Sequence, residues 1–302
     1  MLGATGMNIS QNNSTSGNKL LPDSAIARDG LKLALKHWPL PKRTTANGVV
    51  LIVHGLGEHI GRYGHVALHL NRAGWAVVGY DQRGHGRSEG VRGAIKRDDD
   101  LMYDLAVVID AINLAYSNDR LALLGHSLGG LIAARLAAAL ANPIENVAWR
   151  RSLDLCLLSS PVLEIHLTSI QKILLKTVGR LAPDFGVSNG LNPNGISKDP
   201  SVVQAYRNDP LVHDRVTGRL TRFMLESIEV IRQRASHWTI PTLLLYSGAD
   251  RCVSPLGSRQ LVARLPAALI RAKEYEHMAH EILNEPDQRN VLGEMETWLT
   301  RV

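Results

Sequence analysis

The sequence predicts an α/β protein built on a mostly parallel sheet with helices covering both faces, and three observations carry that expectation. Short apolar runs recur at 49–53, 76–80, 121–124, 153–158, 242–246 and 270–275. Strands apolar on both sides have no water-facing surface, the mark of a sheet covered on both faces. Stretches with helical character separate them, at 63–73, 99–116, 128–141, 255–265 and 287–299, so strands alternate with crossover helices. Finally, 302 residues with 45% apolar content can bury one large core, and a single domain with an insertion fits that length better than two domains.

Taken in order, residues 1–22 begin with a run rich in Asn, Ser, Thr and Gln. It lacks the basic start and apolar centre of a secretory signal, and its composition predicts disorder. Ala25–Arg28 and Leu31–Lys36 flank Asp29-Gly30, which predicts a hairpin whose second strand alternates Leu31, Leu33, Leu35 against Lys32 and Lys36. The regular alternation then runs to about residue 160 and resumes at 237, giving a core of 23–160 and 237–302. Between them, 161–236 is expected to form a helical cap. Leu163, Leu167, Ile170, Leu174, Val178 and Leu181 recur at three- and four-residue steps, with Lys172, Lys176 and Arg180 on another face; this is the pattern of a basic amphipathic helix. A Gly/Pro/Asn-rich stretch at 184–200 follows, then a helical stretch at 214–234. An insertion at this point lies over the C-terminal strand edge, where open α/β sheets bind ligands.

Composition narrows the function. The net charge is +6, but the basic residues are dispersed, without the block or aromatic-basic stripe of a nucleic-acid binder. Two cysteines, Cys156 and Cys252, make neither a disulfide framework nor a zinc spacing, which points to a reducing, cytoplasmic setting. The longest apolar segment, 121–141, holds His126, Ser127, three glycines and Arg135, so it reads as strand, turn and buried helix and not as a membrane span.

That segment carries the chemistry. Gly125-His126-Ser127-Leu128-Gly129 sits between the apolar run and an Ala/Leu-rich helix. The glycines permit a sharp strand-to-helix turn that exposes a serine nucleophile. The helix start aims the Leu128 amide at a developing oxyanion. A serine needs a base, and the base a carboxylate; with such an elbow the acid and then the base follow on later strand ends. Asp250, in Ser-Gly-Ala-Asp after the run 242–246, and His280, after the run 270–275, stand at those places. His277 competes with His280 but is nearer the strand, whereas His280 opens the following loop. His126 is expected to point away across the turn and to serve packing, and Asp154 begins a strand where an acid should end one. The second oxyanion donor is expected from His54-Gly55-Leu56-Gly57-Glu58-His59, with the Leu56 amide as candidate. No nucleotide loop is present, because the glycines lack a following Gly-Lys-Ser/Thr. Nothing in the spacing asks for a metal or an organic cofactor.

Five segments, His-Gly-Leu-Gly-Glu-His-Ile-Gly-Arg-Tyr (54–63), Tyr-Asp-Gln-Arg-Gly-His-Gly-Arg-Ser-Glu-Gly (80–90), Gly-His-Ser-Leu-Gly-Gly (125–130), Arg-Asn-Asp-Pro-Leu (207–211) and His-Glu-Ile-Leu-Asn-Glu (280–285), together resemble the monoacylglycerol lipase and lysophospholipase family of α/β-hydrolases. The resemblance runs in order over about 25–300. It implies the α/β-hydrolase fold with a cap, and hydrolysis of a single-chain acyl ester such as a monoacylglycerol by Ser127, Asp250 and His280. The Leu56 and Leu128 amides would form the oxyanion hole, and Glu58 would orient the glycerol head. An apolar cap would take the acyl chain, with Leu163, Leu167, Ile170 and Leu174 as its candidate lining. A lysophospholipid head group would want a cation near Glu58, for which Arg62 is placed. The 80–90 loop is expected to brace the elbow through buried hydrogen bonds. Expected partners are lipid esters, with peripheral contact to membranes or micelles and the oligomeric state left open. The rivals are a lysophospholipase or general carboxylesterase and, more remotely, a non-catalytic ligand-binding homologue.

Overall fold

The computed structural model describes residues 21–41, 44, 46–117, 119–142, 146–165 and 184–302. Eight strands form one sheet: β1 (Ser24–Ile26), β2 (Lys32–Trp38), β3 (Val49–Val53), β4 (Ala76–Tyr80), β5 (Leu121–His126), β6 (Leu155–Ser159), β9 (Thr242–Ser247) and β10 (Ile270–Tyr275). Their spatial order is β1-β2-β4-β3-β5-β6-β9-β10. The β1–β2 and β2–β4 pairs are antiparallel, and every pair from β4 to β10 is parallel.

The two-residue period of the strands divides the core. Val49, Leu51 and Val53 of β3 face one apolar cluster, whereas Val50 and Ile52 face the other. Helices α2 (Asp100–Ala115) and α3 (Leu128–Leu140) cover the first face, and α1 (Gly64–Arg72) and α7 (Gln288–Leu299) the second. Helix α6 (Pro255–Val262) is shorter than its sequence signal. The last three residues of that signal give way ahead of Pro266, which disfavours helical backbone at the residue before it.

Between β6 and β9 lie β7 (Gly186–Ser188), α4 (Pro200–Asn208), β8 (Arg215–Thr217) and α5 (Gly218–Arg234). Here two expectations need correction. The helical stretch does not begin at 214: Arg215–Thr217 pair antiparallel with Gly186–Ser188. Val216 and Thr217 are β-branched, and the Thr217 hydroxyl caps α5 by accepting from the Leu220 amide at 3.3 Å. Helix α4, in turn, starts at the last residue of the Gly/Pro/Asn-rich stretch and runs through 201–208, where no element is expected from the sequence. Its signal is Asp199-Pro200-Ser201, a capping aspartate whose carboxylate accepts from the Ser201 amide at 2.8 Å, followed by proline in the first turn. Helix α5 packs on α3 and buries Leu220, Phe223, Met224, Ile228 and Ile231 in the core cluster, so the end of the insertion belongs energetically to the domain. The amphipathic stretch with Leu167, Ile170, Leu174, Lys172, Lys176 and Arg180, like residues 1–20, lies outside the described residues. Among the described residues no helix is long and apolar enough to cross a membrane.

Candidate active site

Ser127 links β5 to α3 with φ 54° and ψ −117°, a strained conformation for a residue with a side chain. The turn is possible only because its flanks lack side chains: a Cβ on Gly129 would lie 2.0 Å from the Val53 carbonyl oxygen, and one on Gly125 would lie 2.2 Å from the Gly129 oxygen. The elbow is tied to β6, since the Ser127 amide donates to the Ser159 carbonyl at 3.0 Å.

The ends of β9 and β10 bring the other two residues to it. His280 Nε2 lies 3.0 Å from Ser127 Oγ, and His280 Nδ1 lies 2.7 Å from Asp250 Oδ2. The other Asp250 oxygen accepts from the Cys252 and Val253 amides at 2.8 and 2.9 Å. That carboxylate can only accept from Nδ1–H, which leaves Nε2 free to take a proton from the serine. Burial raises the Asp250 carboxyl, but the His280 charge and hydrogen bond outweigh it and hold the group below its ordinary value. For His280 burial works downward, and the Asp250 charge and hydrogen bond, with help from Glu281 and Glu58, raise it overall. His277 is exposed and stands apart from this chain.

His126 departs from expectation. Because the elbow reverses the chain right after β5, its ring turns toward the site. Its centroid is 4.9 Å from that of His280, and Nδ1 lies 3.1 Å from Ser159 Oγ. Burial and the neighbouring His280 push it down to about 3, so it stays neutral.

On the other side of Ser127 lies the turn after β3. Gly57 has φ 81°, and its carbonyl accepts from the His213 amide at 2.9 Å, so the insertion touches the turn directly. A second tie joins His59 Nε2 to Asp209 at 2.8 Å. Among the described residues no backbone acceptor is seen for the Leu56 or the Leu128 amide.

Glu58 and Arg62 are spent internally. The Glu58 carboxylate is 3% exposed and accepts from the Gly55 amide at 2.7 Å, the Tyr63 hydroxyl at 2.8 Å and Arg62 at 2.7 Å. Arg62 also forks onto both oxygens of Glu281 at 2.7 Å. Burial alone would raise the Glu58 carboxyl, yet the Arg62 charge holds it well below the usual carboxylate range. Both side chains thus belong to a buried network around the turn. Tyr63 and Glu281 were missed by sequence reasoning, although Glu281 adjoins the base.

Leu163 is 4% exposed, belongs to the core cluster and packs against Gly257 of α6, because the chain leaving β6 is still inside the domain. The 80–90 loop braces the β3 turn and not the elbow: Gln82 donates to the His54 carbonyl at 2.6 Å and Asp81 accepts from the Ile60 amide at 2.8 Å.

Residues 44–287 match the family model described as serine aminopeptidase, S33. A monoacylglycerol lipase of Mycolicibacterium smegmatis is 34% identical over 273 residues, covering 89% of this chain and 93% of that protein. The monoglyceride lipase of Rattus norvegicus is 27% identical, covering 91% and 89%. Among solved structures, the Paleococcus ferrophilus monoacylglycerol lipase superposes with a TM-score of 0.77 at 33% identity, over 88% of this chain and 98% of that one. The chain belongs to this family of α/β-hydrolases and is a serine hydrolase.

Proposed function

We propose that the enzyme cleaves monoacylglycerols to fatty acid and glycerol through an acyl-enzyme. The observation that carries this reading is the hydrogen-bonded chain Asp250–His280–Ser127, at 2.7 and 3.0 Å, in a protein related along most of its length to monoacylglycerol lipases. Ser127 Oγ attacks the ester carbonyl carbon as its proton passes to His280 Nε2, while Asp250 holds Nδ1–H and stabilises the imidazolium. The carbonyl oxygen becomes an oxyanion, for which the Leu56 and Leu128 amides are the donors. Collapse breaks the bond to glycerol, whose oxygen takes the proton from His280. Water then gives a proton to His280 and attacks the acyl carbon, and the fatty acid leaves as Ser127 recovers its proton. The apolar side of the insertion takes the acyl chain, and contact with lipid surfaces delivers the substrate.

The test compares a monoacylglycerol with a lysophospholipid of equal chain length. Since Arg62 is already paired with Glu58 and Glu281, the neutral head should be used at least tenfold better by kcat/KM. Equal or reversed preference would overturn the substrate assignment. Ser127→Ala should lower turnover of both by about 10⁴-fold or more; retention of a tenth of the rate would overturn the nucleophile.

A further inference from the structure

The two described non-glycine residues with positive φ are Ser127 and Ser160, at 54° and 39°. They are not independent. Ser127 donates its amide to the Ser159 carbonyl at 3.0 Å and accepts from the Val162 amide at 3.1 Å, so the strained nucleophile and the strained end of β6 are joined on both sides. The same short segment reaches the other two loops. The Ser160 amide donates to the Leu245 carbonyl at 2.9 Å, and its hydroxyl accepts from the Ser247 amide at 3.3 Å. Ser247 ends β9, three residues before Asp250; its own hydroxyl donates to the Met278 carbonyl at 2.7 Å, two residues before His280. Ser159 shares a hydrogen bond of 3.1 Å with His126, whose ring lies 4.9 Å from that of His280. All three serines are buried, at 2%, 2% and 1% exposure.

A buried hydroxyl carries a desolvation cost that an alanine or a valine would not, so three of them at the ends of two neighbouring strands call for a reason. Each bond here ends on a segment bearing one member of the catalytic chain. We propose that Ser159, Ser160 and Ser247 are positioning residues, a hub that sets the loops of Ser127, Asp250 and His280 against one another. The hub also lies where the chain enters the insertion, so the stem of the cap and the nucleophile share one set of bonds: Glu164 accepts from the Ser254 hydroxyl at 3.1 Å, on the loop that follows Asp250.

This inference rests on the proposed catalytic chain but not on the identity of the lipid, so its test uses a soluble nitrophenyl butyrate and a fluorophosphonate that labels Ser127. Ser247→Ala should lower kcat about tenfold with KM unchanged and slow labelling in proportion, because misplacement of reacting groups by a fraction of an ångström falls on the chemical step. Ser247→Cys, which keeps a weak donor, should recover part of both. Ser160→Gly suits φ 39° but removes the hydroxyl, and it should show the same loss. This variant carries the test if Ser247→Ala does not fold. Lower melting temperatures with kcat and labelling rate unchanged in either variant would overturn the proposal, leaving the serines a merely structural role. Loss of monoacylglycerol turnover with nitrophenyl butyrate turnover unaffected would overturn it too.

Discussion

Gly129 of the elbow and Gly186 of the insertion sit at opposite extremes of packing. A Cβ on Gly129 would meet the Val53 oxygen at 2.0 Å, whereas one on Gly186 would find nothing within 4 Å. Around the elbow Leu128, Leu131 and Ile132 are wholly buried; beside Gly186, Phe185 is 67% exposed. The reacting atoms are thus held where no atom can move without moving its neighbours, whereas the strand Gly186–Ser188 has open space at Gly186. Interiors packed at crystal density behave in this all-or-none way.

The largest expected effect tests the tight region at its charged end. Asp250→Asn should lower kcat about 10⁴-fold, because the amide no longer holds the Nδ1–H tautomer. The pH profile gives a second reading. His280 must be neutral to accept the serine proton, so kcat/KM falls as pH drops through its pKa. In the native enzyme that pKa is raised above the ordinary 6.5 by Asp250 against the pull of burial, and the acid limb should lie above 6.5. In Asp250→Asn the lowering by burial remains and the raising is gone, so the limb should move to lower pH. An unmoved limb would show that another group titrates.

Gly129→Ala comes next. Its Cβ would press on backbone, at 2.0 Å from an oxygen and 2.5 Å from a carbon of Val53, and backbone cannot swing aside as a side-chain end can. A loss of about 3 kcal/mol or more in unfolding free energy is expected. Denaturant unfolding measures it, and a change under 1 kcal/mol would mean that β3 can yield.

The same contrast governs what sequence could reveal. Strand runs apolar on both faces, the Gly-x-Ser-x-Gly turn and the order Ser127, Asp250, His280 are local or ordinal signals, and each is visible without three dimensions. The ring of His126 against His280, the fork of Arg62 onto Glu281 and the bond between Ser160 and Ser247 join residues 154, 219 and 87 positions apart, and no periodicity encodes such pairs. Glu58 was legible as a carboxylate beside the turn but not as a spent one, because its three partners are set by how the turn folds back. In the insertion the reverse held: Thr217 and Asp199 carry ordinary capping signals, yet a short strand and a nine-residue helix are too brief for a periodic pattern to outweigh a loop-like composition.

Glu58→Gln lies between the two regions. The Gln oxygen can stay as the acceptor for both Gly55 and Tyr63, but an NH2 group replaces the Oε2 that accepts from Arg62, and the charge that answers Arg62 is lost. If the carboxylate serves the turn, kcat/KM should fall about tenfold on a monoacylglycerol and on a nitrophenyl ester of equal chain length alike, since both need the same oxyanion donors. A fall confined to the monoacylglycerol would restore the glycerol-binding role expected from the sequence.

The smallest effect is the sharpest control. Gly186→Ala places a methyl group where nothing lies within 4 Å, at a position without positive φ, in a strand that gains from losing the glycine's extra freedom when unfolded. Unfolding free energy should change by less than about 0.5 kcal/mol and hydrolysis of soluble esters not at all. The informative measurement is then lipid turnover. Phe185 and Val187 on either side are exposed, so a methyl group added between them changes the surface that the insertion offers without touching the catalytic chain. Monoacylglycerol kcat/KM altered at constant nitrophenyl ester kcat/KM would assign this strand to substrate contact. Destabilisation by more than 1 kcal/mol would instead show that the insertion is packed as tightly as the elbow, and the contrast between the two regions would fail.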